Sequence, residues 1–240
     1  MSGEPDPSPR VAFRPVAGVE YLSEGEVRML DAAGYGGSVG AGLEHPVLLV
    51  VDATRGFCGA DAAADLEDAV AVYPHACGRS AWAALPRIRA LVDGARRHDV
   101  PIVFTRPFPP DRRPGHLGRW EDKNHRRVAT PADAYDVVGE TGFRPTDTLL
   151  EKDCPSAFFG TPLSRWLHGM GVDGVVVCGG STSGCVRATV VDAFSHDLRV
   201  VIAADATFDR LVASHRVTLL DLELKYADVA TADGIVRGWA

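Results

Sequence analysis

Asp52, Lys152 and Cys185 lie far apart in the chain, yet they are residue types that can do chemistry together. Cys185 sits in the run Val175 to Ala193, which reads as a buried strand, a tight Gly/Ser turn and then an amphipathic helix. That order predicts a thiol at a helix N-terminus, where unpaired N–H groups and the helix dipole stabilise a thiolate and welcome an anion. Asp52 ends one apolar run and Lys152 follows another. An ammonium beside a thiol lowers its pKa, and a carboxylate can take the thiol proton and later deliver it to a leaving amine. Such a set suits covalent attack on an amide or carbamoyl carbon, with loss of ammonia and hydrolysis of the thioester or thiocarbamate by water. The N–H groups of Ser181 and Cys185 in the turn are the expected holders of the oxyanion.

Each residue also has a plainer reading. Free cysteine often serves as a small buried residue, and Cys185 could simply pack a helix start. Asp52 could cap a helix or hold the following loop, and Lys152 could be a solvated lysine or the structural ion-pair partner of Asp52. A Zn²⁺ site built on Cys154, Cys178 or His116 is not supported, because no pair has ligand spacing such as Cys-x₂-Cys or His-x₃-His.

The elements that must position these residues follow from short apolar runs alternating with amphipathic segments, the pattern of a parallel sheet covered by helices. Strands are predicted at Val47 to Asp52, Pro101 to Thr105, Asp147 to Glu151, Val172 to Cys178 and Arg199 to Ala203. Trp82, Leu85, Ile88, Leu91, Val92 and Ala95 fall on one helical stripe, as do Val186, Val190, Ala193 and Phe194. With right-handed crossovers this gives an α/β fold, a three-layer, doubly wound, mostly parallel sheet flanked by helices. Working residues in such sheets lie beyond the carboxyl ends of the strands. Asp52, Lys152 and Cys185 therefore converge on one edge, which weakens the three plainer readings together.

At 240 residues and 46% hydrophobic content the chain suits one sizeable domain. Residues 1–17, polar and proline-rich, read as a disordered tail; residues 18–45 form an N-terminal arm, helical over Gly18 to Asp31; residues 46–240 form the main domain. Arg106 to Thr130, rich in Pro, Arg and Gly, reads as a long functional loop. A net charge of −7 leaves no electrostatic footprint for nucleic acid or an anionic membrane, and the apolar runs are far too short to span a bilayer. Five cysteines without paired spacing, and an N-terminus without an apolar signal core, point to reduced thiols and a cytoplasmic protein.

The runs Leu49 to Phe57, Lys152 to Leu163 and Ser181 to Thr189 resemble the isochorismatase-like cysteine hydrolases, in order and over roughly Arg28 to the C-terminus. Within that superfamily the chain is most similar to the N-carbamoylsarcosine and maleamate amidohydrolases, through Ala32 to Gly37, Asp209-Arg210, His215 and Asp221 to Val229. The resemblance implies Asp52 as proton shuttle, Lys152 as activating cation, Cys185 as nucleophile, and a cis peptide joining Gly180 to Ser181 that turns the Ser181 N–H toward the oxyanion. It further implies Arg210 as a clamp on a substrate carboxylate, and Trp120 and Phe57 as pocket-lining aromatics. It also implies a homo-oligomer, a tetramer, while the proposed chemistry itself requires no cofactor and the sequence offers no metal-ligand spacing.

Departures narrow the expectation. Nothing in Arg106 to His125 supplies the Asp-x-His-x-x-His metal site of nicotinamidases, and the vinyl-ether-cleaving isochorismatases lack the cysteine present here as Cys185. Ser181 stands where the nearest amidases usually carry threonine, which removes a methyl from the pocket wall. The arginines of the loop, Arg106, Arg112, Arg113 and Arg119, suit either an acidic substrate or a solvated loop. The expected reaction is cleavage of the terminal C–N bond of a small carboxylate-bearing N-carbamoyl compound or amide, with a lactam or a non-catalytic binding role as rivals.

Overall fold

Pro46–Val51 is a run of six residues with no polar side chain, and every one of them is buried. A strand apolar on both faces belongs in the middle of a parallel sheet with helices on either side. The computed structural model describes residues 17–38, 43–112 and 130–239. Its sheet contains β1 (Pro46–Val51), β2 (Ile102–Pro107), β3 (Thr148–Lys152), β4 (Gly174–Gly180), β5 (Arg199–Phe208) and β6 (Asp228–Ala230). The strand order is β3-β2-β1-β4-β5-β6, and every pairing is parallel.

The described helices are α1 (Glu24–Ala33), α2 (Arg55–Cys58), α3 (Leu66–Val72), α4 (Arg79–Arg97), α5 (Leu163–Gly169), α6 (Arg187–Ser195), α7 (Val212–Lys225) and α8 (Ala232–Gly238). Alternation along the strands sorts the core into two layers. Leu48, Val50, Phe104, Val176 and Cys178 face α4 and α8, while Val47, Leu49, Val51, Val175 and Val177 face α5, α6 and α7. Burying each such side chain contributes about 1.5–3 kcal/mol, so the two layers fix the sheet that carries the site.

Several boundaries differ from the sequence expectation. β4 begins at Gly174 rather than Val172 and carries Gly179 and Gly180 inside the strand. Gly179 has φ 102°, and a Cβ there would collide with the Val51 carbonyl, so glycine lets β4 run tight against β1 just before Asp52. β5 runs on to Phe208, well past Ala203. β6 is three half-buried residues, too short for periodicity to mark. In α4 the stripe Leu85, Ile88, Leu91, Val92 and Ala95 is buried, with Trp82 partly so. On α6, Val190 and Ala193 are buried but Phe194 is 41% exposed, lying edge-on to Tyr226 at the surface. Residues 18–31 divide into a 3₁₀ turn, Val19–Tyr21, and α1, which Ser23 starts with a capping box closed by Glu26. The arginine-rich segment begins inside β2 and continues as a single turn, Pro110–Arg112.

Candidate active site

Strand order reverses between β1 and β4: from β1 the chain winds outward through β2 and β3, from β4 through β5 and β6. Ligands of open α/β sheets bind beyond the carboxyl ends of the strands at such a switch point. Asp52 is the first residue past β1, Lys152 is the last residue of β3, and Cys185 lies in the turn after β4. All three are buried, with Asp52 0%, Lys152 3% and Cys185 7% exposed.

Asp52 has φ 46°, which breaks the strand and turns its side chain into the edge. Lys152 Nζ donates to Asp52 Oδ2 at 2.7 Å and to the Cys154 carbonyl at 3.1 Å. Thr105 Oγ1, on β2 between these two strands, donates to Asp52 Oδ1 at 2.6 Å and accepts from the Asp52 N–H at 3.1 Å. Both carboxylate oxygens are thus held, and the thiol of Cys185 interacts by charge and hydrogen bonding with both Asp52 and Lys152. A buried ion pair is weak evidence for stability, because desolvation offsets most of the attraction. It is better evidence for a site.

Burial is the first influence on the Cys185 thiol and pushes it up to about 12; Lys152 pulls it down and Asp52 raises it. Sequence reasoning expected a thiol made acidic by Lys152 and the helix start. In the resting structure burial outweighs the pull of Lys152 on the thiol. Burial works to lower the Lys152 pKa, but Asp52 and Cys185 outweigh it and hold the ammonium above its usual range. Burial likewise raises the thiols of Cys58, Cys77, Cys154 and Cys178. Cys185 is set apart by side-chain hydrogen bonding to both members of the buried Lys152–Asp52 pair.

The peptide joining Gly180 to Ser181 is cis. Thr182–Val186 forms a π-helical turn that runs into α6, so Cys185 lies inside the last part of this turn rather than at the first residue of an α-helix. π-turns inside helices commonly mark functional positions. The Ser181 carbonyl accepts from Gly184 N–H at 3.0 Å and Val186 N–H at 3.2 Å. Asp209, 4% exposed, accepts from the Ser183 N–H and hydroxyl at 2.8 and 2.7 Å through Oδ2, and from the Arg210 N–H at 2.8 Å through Oδ1. His215 Nδ1 lies 2.8 Å from Thr182 Oγ1. These contacts tie the turn to the end of β5 and to α7.

Phe57, on α2, is buried, with its ring centroid 6.0 Å from that of His75. Arg210 donates to the His75 carbonyl at 2.6 Å and the Ala76 carbonyl at 3.5 Å. The two proposed substrate contacts therefore meet through His75. Trp120 lies outside the described residues, as do Arg113, Arg119, His116 and His125. Arg106 and Arg112 both pair with Glu151, at 2.7 and 2.8 Å, so one carboxylate serves two of the four arginines of that segment. Thr105 and Asp209 went unnoticed as site residues. Thr105 had a signal in its place at the carboxyl end of β2; Asp209 had only its part in the family resemblance.

Among the described residues no group of three or more His, Cys, Asp or Glu could hold a metal ion. No described helix is long and apolar enough to cross a membrane.

A family model for the isochorismatase domain matches residues 46–234, which includes all of these groups. The chain belongs to the isochorismatase family. This isochorismatase-family chain is 45% identical over 85 residues to the maleamate amidohydrolase of Pseudomonas putida, covering 35% of this chain and 40% of that protein. It is 30% identical over 159 residues to the N-carbamoylsarcosine amidase of an Arthrobacter species, covering 64% of this chain and 60% of that protein. The chain thus spans less than two thirds of the length of either relative. Among solved structures, the N-carbamoylsarcosine amidase of Thermoplasma acidophilum matches with a TM-score of 0.59 at 25% identity, covering 78% of this chain and 96% of that one.

Proposed function

We propose that this isochorismatase-family protein is a cysteine-dependent amidohydrolase that releases ammonia from a small carboxylate-bearing amide or N-carbamoyl compound. The observation that carries this reading is the buried Lys152–Asp52 pair at 2.7 Å with Cys185 beside it. A thiol held protonated by burial needs a base at contact distance, and Asp52 is that base.

Asp52 takes the Cys185 proton as Sγ attacks the amide carbon, so the thiolate exists only as the C–S bond forms. The carbonyl electron pair moves onto oxygen, where the Ser181 and Cys185 N–H groups receive it. Collapse expels the amine, which takes the proton from Asp52 and leaves as ammonia. Water then attacks the thioester or thiocarbamate and gives a proton to Asp52; that proton returns to sulfur as the acid departs. An N-carbamoyl substrate loses carbon dioxide at this stage. Lys152 stays charged throughout and holds the Asp52 carboxylate in place between proton transfers.

Two substrate classes fit. The longer match to an N-carbamoylsarcosine amidase supports the N-carbamoyl compound, and the shorter 45% match to a maleamate amidohydrolase supports a dicarboxylic acid monoamide. Ammonia release from N-carbamoylsarcosine, other N-carbamoyl amino acids, maleamate, nicotinamide and several lactams separates them. Release that vanishes in Cys185→Ala is the expected result; release that survives it overturns the thiol mechanism.

A further inference from the structure

Ser181 follows β4 directly and opens the turn that carries Cys185, and it is only 6% exposed. Its carbonyl accepts from the N–H groups of both Gly184 and Val186, so residues 181–186 wind as one turn. Positions three and four residues apart on such a turn share a face, which puts Ser181 and Gly184 on the side that carries Cys185. Gly184 bears this out. A Cβ there would lie 2.7 Å from Ser181 Oγ, and beyond its chain neighbours and the turn's own backbone no other described atom comes within 4 Å of that point. The turn face is therefore open in front of Gly184, with the Ser181 hydroxyl standing at its side.

Ser181 has two hydrogen-bond donors and gives neither to the described residues. Its N–H finds no acceptor there, and its hydroxyl makes neither a capping bond nor any other side-chain bond. A serine at the start of a turn ordinarily uses its hydroxyl to accept a first-turn N–H, but here the Ser181 carbonyl takes those donors. Nor is the hydroxyl sealed in. Thr54 Oγ1 is unpartnered and fully closed off, whereas Ser181 Oγ keeps contact with free space. The neighbouring Ser183 shows what such a pair of donors does when an anionic oxygen is at hand: its N–H and its hydroxyl both donate to Asp209 Oδ2, at 2.8 and 2.7 Å.

Two free donors on one buried residue, on the turn face that carries the thiol, make a place for one oxygen bearing negative charge. Resting on the amidohydrolase reading, we propose that the Ser181 hydroxyl is a catalytic group that donates, together with the N–H of the same residue, to the carbonyl oxygen of the substrate as Cys185 Sγ adds to the carbon. The hydroxyl keeps its proton throughout. The electron pair of the C=O bond moves onto oxygen, the thiol proton passes to Asp52, and the hydrogen bond from Ser181 Oγ strengthens as the charge on that oxygen grows. A bond that is stronger in the transition state than in the bound substrate acts on kcat rather than on KM.

The test uses succinic semialdehyde, whose aldehyde carbon forms a C–S bond with Cys185 while the thiol proton ends on the aldehyde oxygen, giving a tetrahedral adduct that needs no turnover. Butyrate, with a methyl in place of the aldehyde, is the control. Protection of Cys185 from iodoacetamide, followed on the Cys185 peptide by mass spectrometry, gives a midpoint for each ligand in wild type, Ser181→Ala and Ser181→Thr. Ser181→Ala should need about tenfold more aldehyde, the equivalent of one hydrogen bond of about 1.4 kcal/mol. Ser181→Thr, which keeps the hydroxyl, should stay close to wild type, and butyrate should not distinguish the three proteins. Equal aldehyde midpoints in wild type and Ser181→Ala overturn the proposal, as does a wild type that the aldehyde fails to protect or a loss that butyrate shares. Ammonia release judges the amidohydrolase reading separately. A wild type that binds the aldehyde through Ser181 yet releases no ammonia from the substrate panel sinks that reading and leaves the hydroxyl contact standing, whereas a Ser181→Ala protein with unchanged kcat overturns the role of the hydroxyl and leaves the reading intact.

Discussion

Lys152 Nζ sits 2.7 Å from Asp52 Oδ2, although the strands that carry these residues are not neighbours. The ammonium reaches over β2, and the β2 residue it passes, Thr105, holds the other carboxylate oxygen at 2.6 Å. Three adjacent strand ends thus fix one carboxylate from two sides.

Removing the cation should be costly. Lys152→Met leaves Asp52 charged, fully buried and without its ion-pair partner, and breaking a buried pair in this way destabilises by about 3–5 kcal/mol. Asp52→Asn combined with Lys152→Met should be less destabilised than the sum of the single changes, because no lone charge remains. Denaturant unfolding of the four proteins checks this. Additive losses would mean that the pair is not coupled.

The buried thiols set an alkaline limit on stability. The folded-state pKa of Cys185 is raised from an ordinary 9.0 to about 12, so the folded form keeps its proton longer than the unfolded chain does. That contribution is fully present below pH 9.0 and is lost as pH rises toward 12. Lys152, also raised, holds its own contribution until pH passes the ordinary 10.5 and rises through its folded pKa. Unfolding free energy should therefore fall between pH 9 and 10 by up to about 1.4 kcal/mol per pH unit for each buried thiol. Cys185→Ala should reduce that slope by up to one proton. An unchanged slope would place Cys185 in water.

The strands carrying the triad were legible because the runs of β1 and β3 lead directly to Asp52 and Lys152, and the apolar run of β4 breaks into the Gly/Ser turn that holds Cys185. Their convergence follows from the rule for parallel sheets and required no knowledge of contacts. Local sequence shows the candidate cation, and Lys152 does pull the Cys185 thiol down; it does not show the burial that pushes the same thiol up. Arg210 shows the same limit, since the carbonyls that hold it belong to His75 and Ala76, more than a hundred residues earlier. β6 escaped because three half-buried residues give no alternation to read.

Asp209 should behave as a positioning residue for the turn after β4. Its two oxygens face opposite donors, Ser183 N–H and hydroxyl on one side and Arg210 N–H on the other. Asp209→Asn must turn its NH₂ toward one of these donors and lose that contact. Losing a charge-assisted bond of about 1.5–3 kcal/mol from the turn after β4 corresponds to about 10–100-fold in kcat. KM should move much less, because Asp209 touches the turn through Ser183 rather than the reacting atoms. Steady-state ammonia release reads both constants. A rise in KM with kcat preserved would make Asp209 a substrate contact instead.

Thr105 should matter through Asp52 alone. Thr105→Val keeps the shape but removes the donor to Oδ1 and the acceptor of the Asp52 N–H, leaving the carboxylate held only by Lys152. A carboxylate free to rotate about that one contact presents an oxygen to the Cys185 proton less often. We expect kcat/KM to fall by about 10–100-fold, the equivalent of one hydrogen bond to a charged group. Thr105→Ser, which keeps the hydroxyl, should recover most of it. Iodoacetamide separates this from a general loosening of the fold: alkylation of Cys185 at neutral pH should slow in Thr105→Val if Asp52 is the base, whereas a loosened, more exposed thiol would react faster.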